Sequence, residues 1–323
     1  MGGALTAFAG LIIIYIAFGM INPTVFSGQN VMNLLRSMSK YLLVGIGQSY
    51  VLITGNIDLS IGSVVGMSAM ISATLMTMGV HPVIAILITL LCCVLIGIVN
   101  GILVGKFELP PFIATLGTMF SARGIAYMVN GNRNTDAIST GIGKAAADKF
   151  QSVFYYGTTA GIYNTFWIAI ILFIIFFFLL SKTRTGRHIY AIGSNVEAAK
   201  LSGVSVVATT TKTYIVSAFC ACTVGLILCG QANMGNMEAG NMYEMYAVAA
   251  GVIGGISPLG GTGILLGTLA GASVWQTLEN GLNMIGAQVG IQRLVIGIIV
   301  VFAVLLDVVF RKGVFKKRKT RGN

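Results

Sequence analysis

Apolar residues recur in runs at 4–21, 34–54, 59–79, 83–105, 111–130, 163–181, 213–233, 243–258, 262–284 and 291–310, separated by shorter polar or glycine-containing stretches. A helix needs roughly 20 predominantly apolar residues to span the hydrocarbon core of a bilayer. The pattern therefore predicts about ten membrane helices. The most apolar stretch, residues 167–180, is almost wholly Ile, Leu and Phe and predicts a lipid-facing helix. Two runs are diluted by charge: Arg36 and Lys40 stand at the start of the second, and Arg123 lies two-thirds through the fifth. Residues 1–20 carry no basic lead and no small-residue cleavage pattern, so they read as a first membrane helix rather than a signal peptide.

Composition sharpens this. The 323 residues are 56% hydrophobic and 9% charged, with mean hydropathy +0.88, whereas a soluble domain carries roughly 25% charged residues. A soluble enzyme, a nucleic-acid binder and a disordered chain are excluded, leaving an all-α polytopic membrane protein forming one transmembrane domain over residues 1–323. The net charge of +11 is explained by loops. Lys182, Arg184, Arg187, Lys200 and Lys212 face one acid, Glu197, in the segment 182–212, and the tail 311–323 carries seven Lys and Arg and no acid. Basic loops stay cytoplasmic. Four crossings separate these two segments and six precede the first, so both termini are expected in the cytoplasm. The tail reads as a stop-transfer flank or as a patch for anionic lipid, and Asp307 is expected to pair with it.

Small residues recur in register: Gly97, Gly101 and Gly105 in the fourth run, and Gly263, Gly267 and Gly271 in the ninth. Such stripes let helix backbones approach closely in a bilayer. Two five-helix halves are inverted relative to each other because five is odd, and inverted repeats are a common transporter plan.

Little here can do covalent chemistry. There is no phosphate-binding Gly-x-x-x-x-Gly-Lys-Ser/Thr sequence, Gly141–Ala145 being only a distant approach. The two histidines, His81 and His188, are expected at helix ends, and no metal or catalytic set is expected. Cys92, Cys93, Cys220, Cys222 and Cys229 sit inside apolar runs and read as small buried hydrophobes. Ionisable groups inside membrane runs are the informative ones, since each is costly unless paired or solvated. Asp58, in the Gly55-Asn56-Ile57-Asp58-Leu59-Ser60 break, reads as the N-cap or a first-turn residue of the next helix, or as a gate or pathway group. Arg123 reads as half of an interior ion pair or as a snorkelling cation. Glu244 is expected at the start of the eighth helix, and Glu279 lies one turn from Trp275 on the same face.

These stretches together resemble a known family. Residues 55–63, then Pro110-Pro111-Phe112-Ile113-Ala114-Thr115-Leu116-Gly117, are similar to the ribose/galactose-type permeases of bacterial ABC sugar importers. So are Thr185-Gly186-Arg187, Tyr190-Ala191-Ile192-Gly193-Ser194-Asn195 and Glu197-Ala198-Ala199-Lys200-Leu201-Ser202-Gly203-Val204. Residues 243–250, Ile253-Gly254-Gly255-Ile256-Ser257, Gly260-Gly261 and Asn280-Gly281-Leu282 complete the set. Met245-Tyr246 stands where the resemblance leads one to expect Leu-Asp.

The resemblance implies a type II ABC importer-like permease in the bacterial inner membrane, working as a pair with a second copy or a paralogue. ATP and Mg would be handled by separate ABC ATPase subunits, with no cofactor in this chain. A periplasmic or lipid-anchored sugar-binding protein would deliver the sugar. The loop 182–212 would couple the two machines through Arg187, Glu197, Ala198, Ala199 and Gly203. Asp58, Asn100, Phe112, Arg123, Glu244 and Trp275 are the expected lining of the sugar path, without a tight site. A stand-alone channel or facilitator, or a nucleoside-type importer permease, remains the alternative.

Overall fold

In the computed structural model, residues 2–295, 297, 298 and 301 are described. The long helices are α1 (Gly2–Ile21), α2 (Gly28–Ile53), α3 (Ile61–Thr77), α4 (Pro82–Gly105) and α5 (Pro111–Met128), followed by two short ones, α6 (Ser139–Ile142) and α7 (Lys144–Gln151). A hairpin of β1 (Thr158–Thr159) and β2 (Ile162–Tyr163) leads into α8 (Asn164–Lys182). Then come α9 (Arg184–Ser194), α10 (Val196–Leu201), α11 (Val206–Ala232), α12 (Tyr243–Ile253) and α13 (Leu265–Met284). Each of the first nine apolar runs is thus helical. The tenth is described only in part, with helix over 289–295, and Asp307 and the basic tail lie outside the described residues.

Local chemistry places the boundaries. Ser27 Oγ accepts the Asn30 N–H at the start of α2, and Pro82 opens α4 behind His81, whose Nδ1 accepts from Val83. Thr183, Asn195 and Ser205 cap α9, α10 and α11 by the same means, which satisfies amide groups that a first helical turn leaves unpaired. His188 lies within α9 rather than at a helix end.

The centre of the bundle is α2, α3 and α11, buried along most of their lengths. By length and composition α4, α8 and α11 are able to cross a membrane. On α4, Leu87, Leu91 and Leu95 are exposed while Ala85, Thr89, Cys93 and Gly97 are buried, two opposite stripes at four-residue spacing. On α8 the lipid-facing expectation holds for one face only. Ile171, Ile174 and Phe178 point outward, but Ala169, Phe173, Phe176 and Leu180 are packed inside. The five cysteines are free thiols, all buried except the half-buried Cys92.

Both glycine stripes mark backbone contacts. A Cβ at Gly101 would collide with Thr211, and one at Gly97 would lie 2.6 Å from the Tyr214 carbonyl, so α4 lies directly on α11. Gly267 meets the carbonyl of Gly254, which follows α12, and Gly271 that of Ala250 within it. Gly263, however, precedes α13 with φ +130, so the second stripe is only partly helical.

One end of the bundle gathers residues 53–58, 183–205 and 254–263: the Gly261 N–H donates to Ile53 O at 2.8 Å and the Tyr190 hydroxyl to Gly263 O at 2.7 Å. The opposite end gathers 131–142 and 233–236, through Thr135 N–H to Gly235 O (3.0 Å) and Ile138 N–H to Asn233 O (2.9 Å).

Candidate functional site

Asp58 lies in the break between α2 and α3, 2% exposed. Its Oδ1 accepts from the Ser60 N–H (2.9 Å) and hydroxyl (2.6 Å), and its Oδ2 accepts from the Ser217 hydroxyl of α11 at 2.7 Å. Asp58 is therefore not the N-cap of α3. Ser60 holds that position and makes no side-chain cap bond, its hydroxyl being given to Asp58 instead. Asn100 on α4 donates to Ser60 Oγ (3.0 Å) and accepts from Thr118 of α5 (2.7 Å). One continuous network thus ties four helices together, with three donors compensating the carboxyl group for the water it has lost.

A second cluster forms around Arg123. Its Nη1 donates to Met237 O (2.7 Å) and Ala239 O (2.9 Å), and its Nη2 to Gly62 O (3.3 Å). Among the described residues Arg123 forms no ion pair; backbone carbonyls occupy its fork, a geometry suited to its planar array of donors. Glu244, in the first turn of α12, lies against Gly62. Gly62 and Gly240 touch so closely that a Cβ on either would strike the other's carbonyl oxygen.

The third cluster is aromatic. Tyr41 of α2 donates to Glu279 at 2.8 Å, and its ring packs on Tyr243, Tyr246 and Trp275 at centroid distances of 5.9, 5.5 and 6.5 Å. Tyr41 therefore bridges Trp275 and Glu279, one turn apart on α13. Phe112 is separate, 56% exposed at the start of α5 beside an apolar hollow bounded by Leu52, Ile57 and Pro258. The structure brings Asp58 with Asn100, and Arg123 with Glu244, and leaves Phe112 outside.

Residues 233–242 connect these clusters to the surface. Helix α12 has 11 residues, about 16 Å of rise, half the roughly 30 Å hydrocarbon thickness. The preceding irregular segment descends beside α3 to the level of Gly62. Its backbone is satisfied from outside the helical ladder: Arg123 serves two carbonyls, Thr135 Oγ1 accepts from Gly235 N–H (2.8 Å) and Asn134 Oδ1 from Met237 N–H (3.0 Å). A signal for this was present in the sequence. Gly235-Asn236-Met237-Glu238 repeats the Gly-Asn-x-acid pattern of Gly55-Asn56-Ile57-Asp58, and each copy follows a long buried helix and precedes a shorter one.

At the end holding residues 53–58, α9 and α10 form an exposed elbow. Glu197 and Ala198 are exposed, Ala199 is buried, and Leu201 is 91% exposed. Arg187 is exposed on α9. Lys200 bonds Glu197 at 3.1 Å and approaches Glu108 at 3.7 Å, and these carboxylates hold its ammonium pKa above the ordinary value, Glu197 first. Gly203 ends α10 at φ +80, with its N–H on Lys200 O (2.9 Å) and the Val204 N–H on Ala199 O (3.0 Å), the left-handed C-cap. Beneath the elbow lies a cavity of about 350 Å³ reached by Asn56, Glu108 and Lys200.

A family profile described as branched-chain amino acid transport system / permease component matches residues 30–304. The ribose import permease protein of Bacillus subtilis is 36% identical over 300 residues, covering 93% of this chain and 91% of the relative. The D-allose transport system permease protein of Escherichia coli K12 is 33% identical over 300 residues, covering 92% and 89%. The galactose/methyl galactoside import permease protein of the same strain is 33% identical over 299 residues, covering 88% of each. No solved structure matches the chain.

Proposed function

The chain belongs to the family described as branched-chain amino acid transport system / permease component, and from that membership we propose that it is the membrane permease subunit of an ATP-driven importer of a monosaccharide. The observation that carries this is the near end-to-end similarity to import permeases for ribose, allose and galactose. A binding protein outside the membrane delivers the sugar, and a separate ATPase supplies the energy. The chain crosses the inner membrane ten times in two inverted halves of five helices, with both termini in the cytoplasm, and pairs with a second permease.

The segment 182–212 is then cytoplasmic, and α9–α10 is the element that a nucleotide-driven subunit grips. Leu201, exposed beside the Glu197–Lys200 pair, would give that subunit an apolar contact at the end of α10. Closure of the ATPase draws the elbow inward. Because α9 lies on Ile53 and on Gly261 and Gly263, the pull is passed to the end of α2 and to the loop before α13. Asp58, Asn100, Arg123, Glu244 and Trp275 line or support the path that opens, and Phe112 stands at its rim.

The test is co-purification from native membranes in mild detergent, followed by uptake in liposomes. Recovery of an ATPase and a sugar-binding protein with ATP-dependent uptake is expected. A chain that is recovered alone and conducts sugar without ATP would overturn the reading.

A further inference from the structure

The segment 233–242 has two sides. One is pinned by Arg123 and Thr135; the other bounds a cavity of about 500 Å³, within the ~300–1,000 Å³ range of small-molecule sites. Irregular backbone at membrane depth is tolerated where protein buries it or where it lines a water-filled space; this segment is held on one side by Arg123 and Thr135 and lines a cavity on the other. Lys40, Gln231, Asn236, Glu238, Asn241 and Tyr243 contribute to the wall. We propose that this cavity is a binding site for a neutral monosaccharide within the permease itself, an inference that rests on the sugar-importer reading and adds to it a site that the sequence did not lead one to expect.

The chemistry of the wall argues for that ligand class. Vicinal hydroxyls donate and accept at once, and the wall offers both functions at short intervals. Lys40 has three protons and engages Gln231 Oε1 at 3.2 Å. The Asn236 and Asn241 amides bring N–H donors and carbonyl oxygens, the Asn236 oxygen already accepting the Glu238 N–H at 2.9 Å, and both residues are exposed. Glu238 is held in place by the Tyr127 hydroxyl at 2.6 Å. One ammonium and one carboxylate balance, so a neutral solute meets no net charge, whereas an anion or cation of the same size upsets that balance, meeting one attracting and one repelling group at close range. Tyr243 belongs to the aromatic cluster around Tyr41 and brings an aromatic ring to an otherwise polar wall. Gly240, another wall residue, abuts Gly62, and Arg123 bonds both strands of that contact. A sugar entering the cavity is thus stopped at a floor that one guanidinium holds closed.

The experiment places a single thiol at the wall, as Asn236→Cys and separately Asn241→Cys, in the permease purified in the complex it forms in its native membrane. Modification by a membrane-impermeant maleimide is timed against the unsubstituted chain, with D-ribose, D-allose, D-galactose and the similarly sized anion D-gluconate as probes. At a sugar concentration about tenfold above its dissociation constant, occupancy slows modification about tenfold, and gluconate gives no protection. Equal protection by gluconate overturns the neutral-sugar assignment. Unchanged rates with all three sugars at both positions, in an importer whose wild type takes up one of them, overturn the site and leave the importer standing. A wild type that takes up no monosaccharide at all, tested across pentoses and hexoses, overturns both.

Discussion

Arg123 on α5 and Ala239 in the segment before α12 are joined by a 2.9 Å hydrogen bond, while the same guanidinium reaches Gly62 O on α3 at 3.3 Å. Two pieces of chain distant in sequence are clasped by one side chain. Charge-assisted hydrogen bonds of this kind contribute about 1.5–3 kcal/mol each. Arg123→Ala is therefore expected to lower the unfolding temperature in detergent and to reduce uptake severely. Arg123→Lys keeps the charge but not the planar fork, and is expected to recover stability better than transport. Equal uptake in all three proteins would remove the clasp from the mechanism.

Ser217 supplies the Asp58 carboxyl group with the one donor that comes from another helix. Ser217→Ala leaves that buried oxygen short of a partner, at a cost of about 1–3 kcal/mol. Ser217→Thr retains the hydroxyl and is expected to fall between. The measurement is thermal unfolding of the purified permease; a Ser217→Ala protein as stable as wild type would show that Asp58 is satisfied without it.

Gly101 and Gly124 offer a matched comparison. A methyl at Gly101 strikes Thr211, whereas nothing lies within 4 Å of one at Gly124. Gly101→Ala is expected to destabilise by about 1–3 kcal/mol, the usual range for overpacking, and Gly124→Ala to be silent in the folded chain. If both behave alike, the α4–α11 contact is looser than described.

For the elbow, Glu197→Ala and Gly203→Val are expected to leave ATP hydrolysis running while uptake falls. Gly203 sits at φ +80, where a side chain costs about 1–2 kcal/mol, so α10 loses its end as well as its orientation. Parallel assays of hydrolysis and uptake decide the matter, and normal uptake in both variants would rule out the coupling role.

Much of this architecture was legible from hydrophobic pattern alone, because apolar runs of spanning length report helices directly. The break at Asp58 and the helix-packing glycines, Gly263 apart, were legible too, since each depends on residues close in sequence. What escaped was tertiary. Ser217 lies 159 positions from Asp58, and Glu279 lies 238 from Tyr41. No local signal says which helix faces will meet. The apolar run predicts a helix continuing to 258, but α12 ends at Ile253, where Gly254 and the left-handed Gly255 turn the chain. The sequence reads Arg123 as half of an ion pair or as a snorkelling cation, whereas carbonyls freed by non-helical backbone satisfy it, and a pattern of side chains does not display those.

Leu201 stands 91% exposed at the end of α10. On the proposed importer, a partner subunit would cover it and the leucine would be an anchor. On a copy inserted without that partner, the same side chain is an uncovered hydrophobe on a capped helix, the kind of surface that chaperones and membrane-associated proteases engage. In that importer, the residue that would secure assembly would thereby also mark an orphan subunit, and the amount of permease retained in the membrane is expected to follow the supply of its partner.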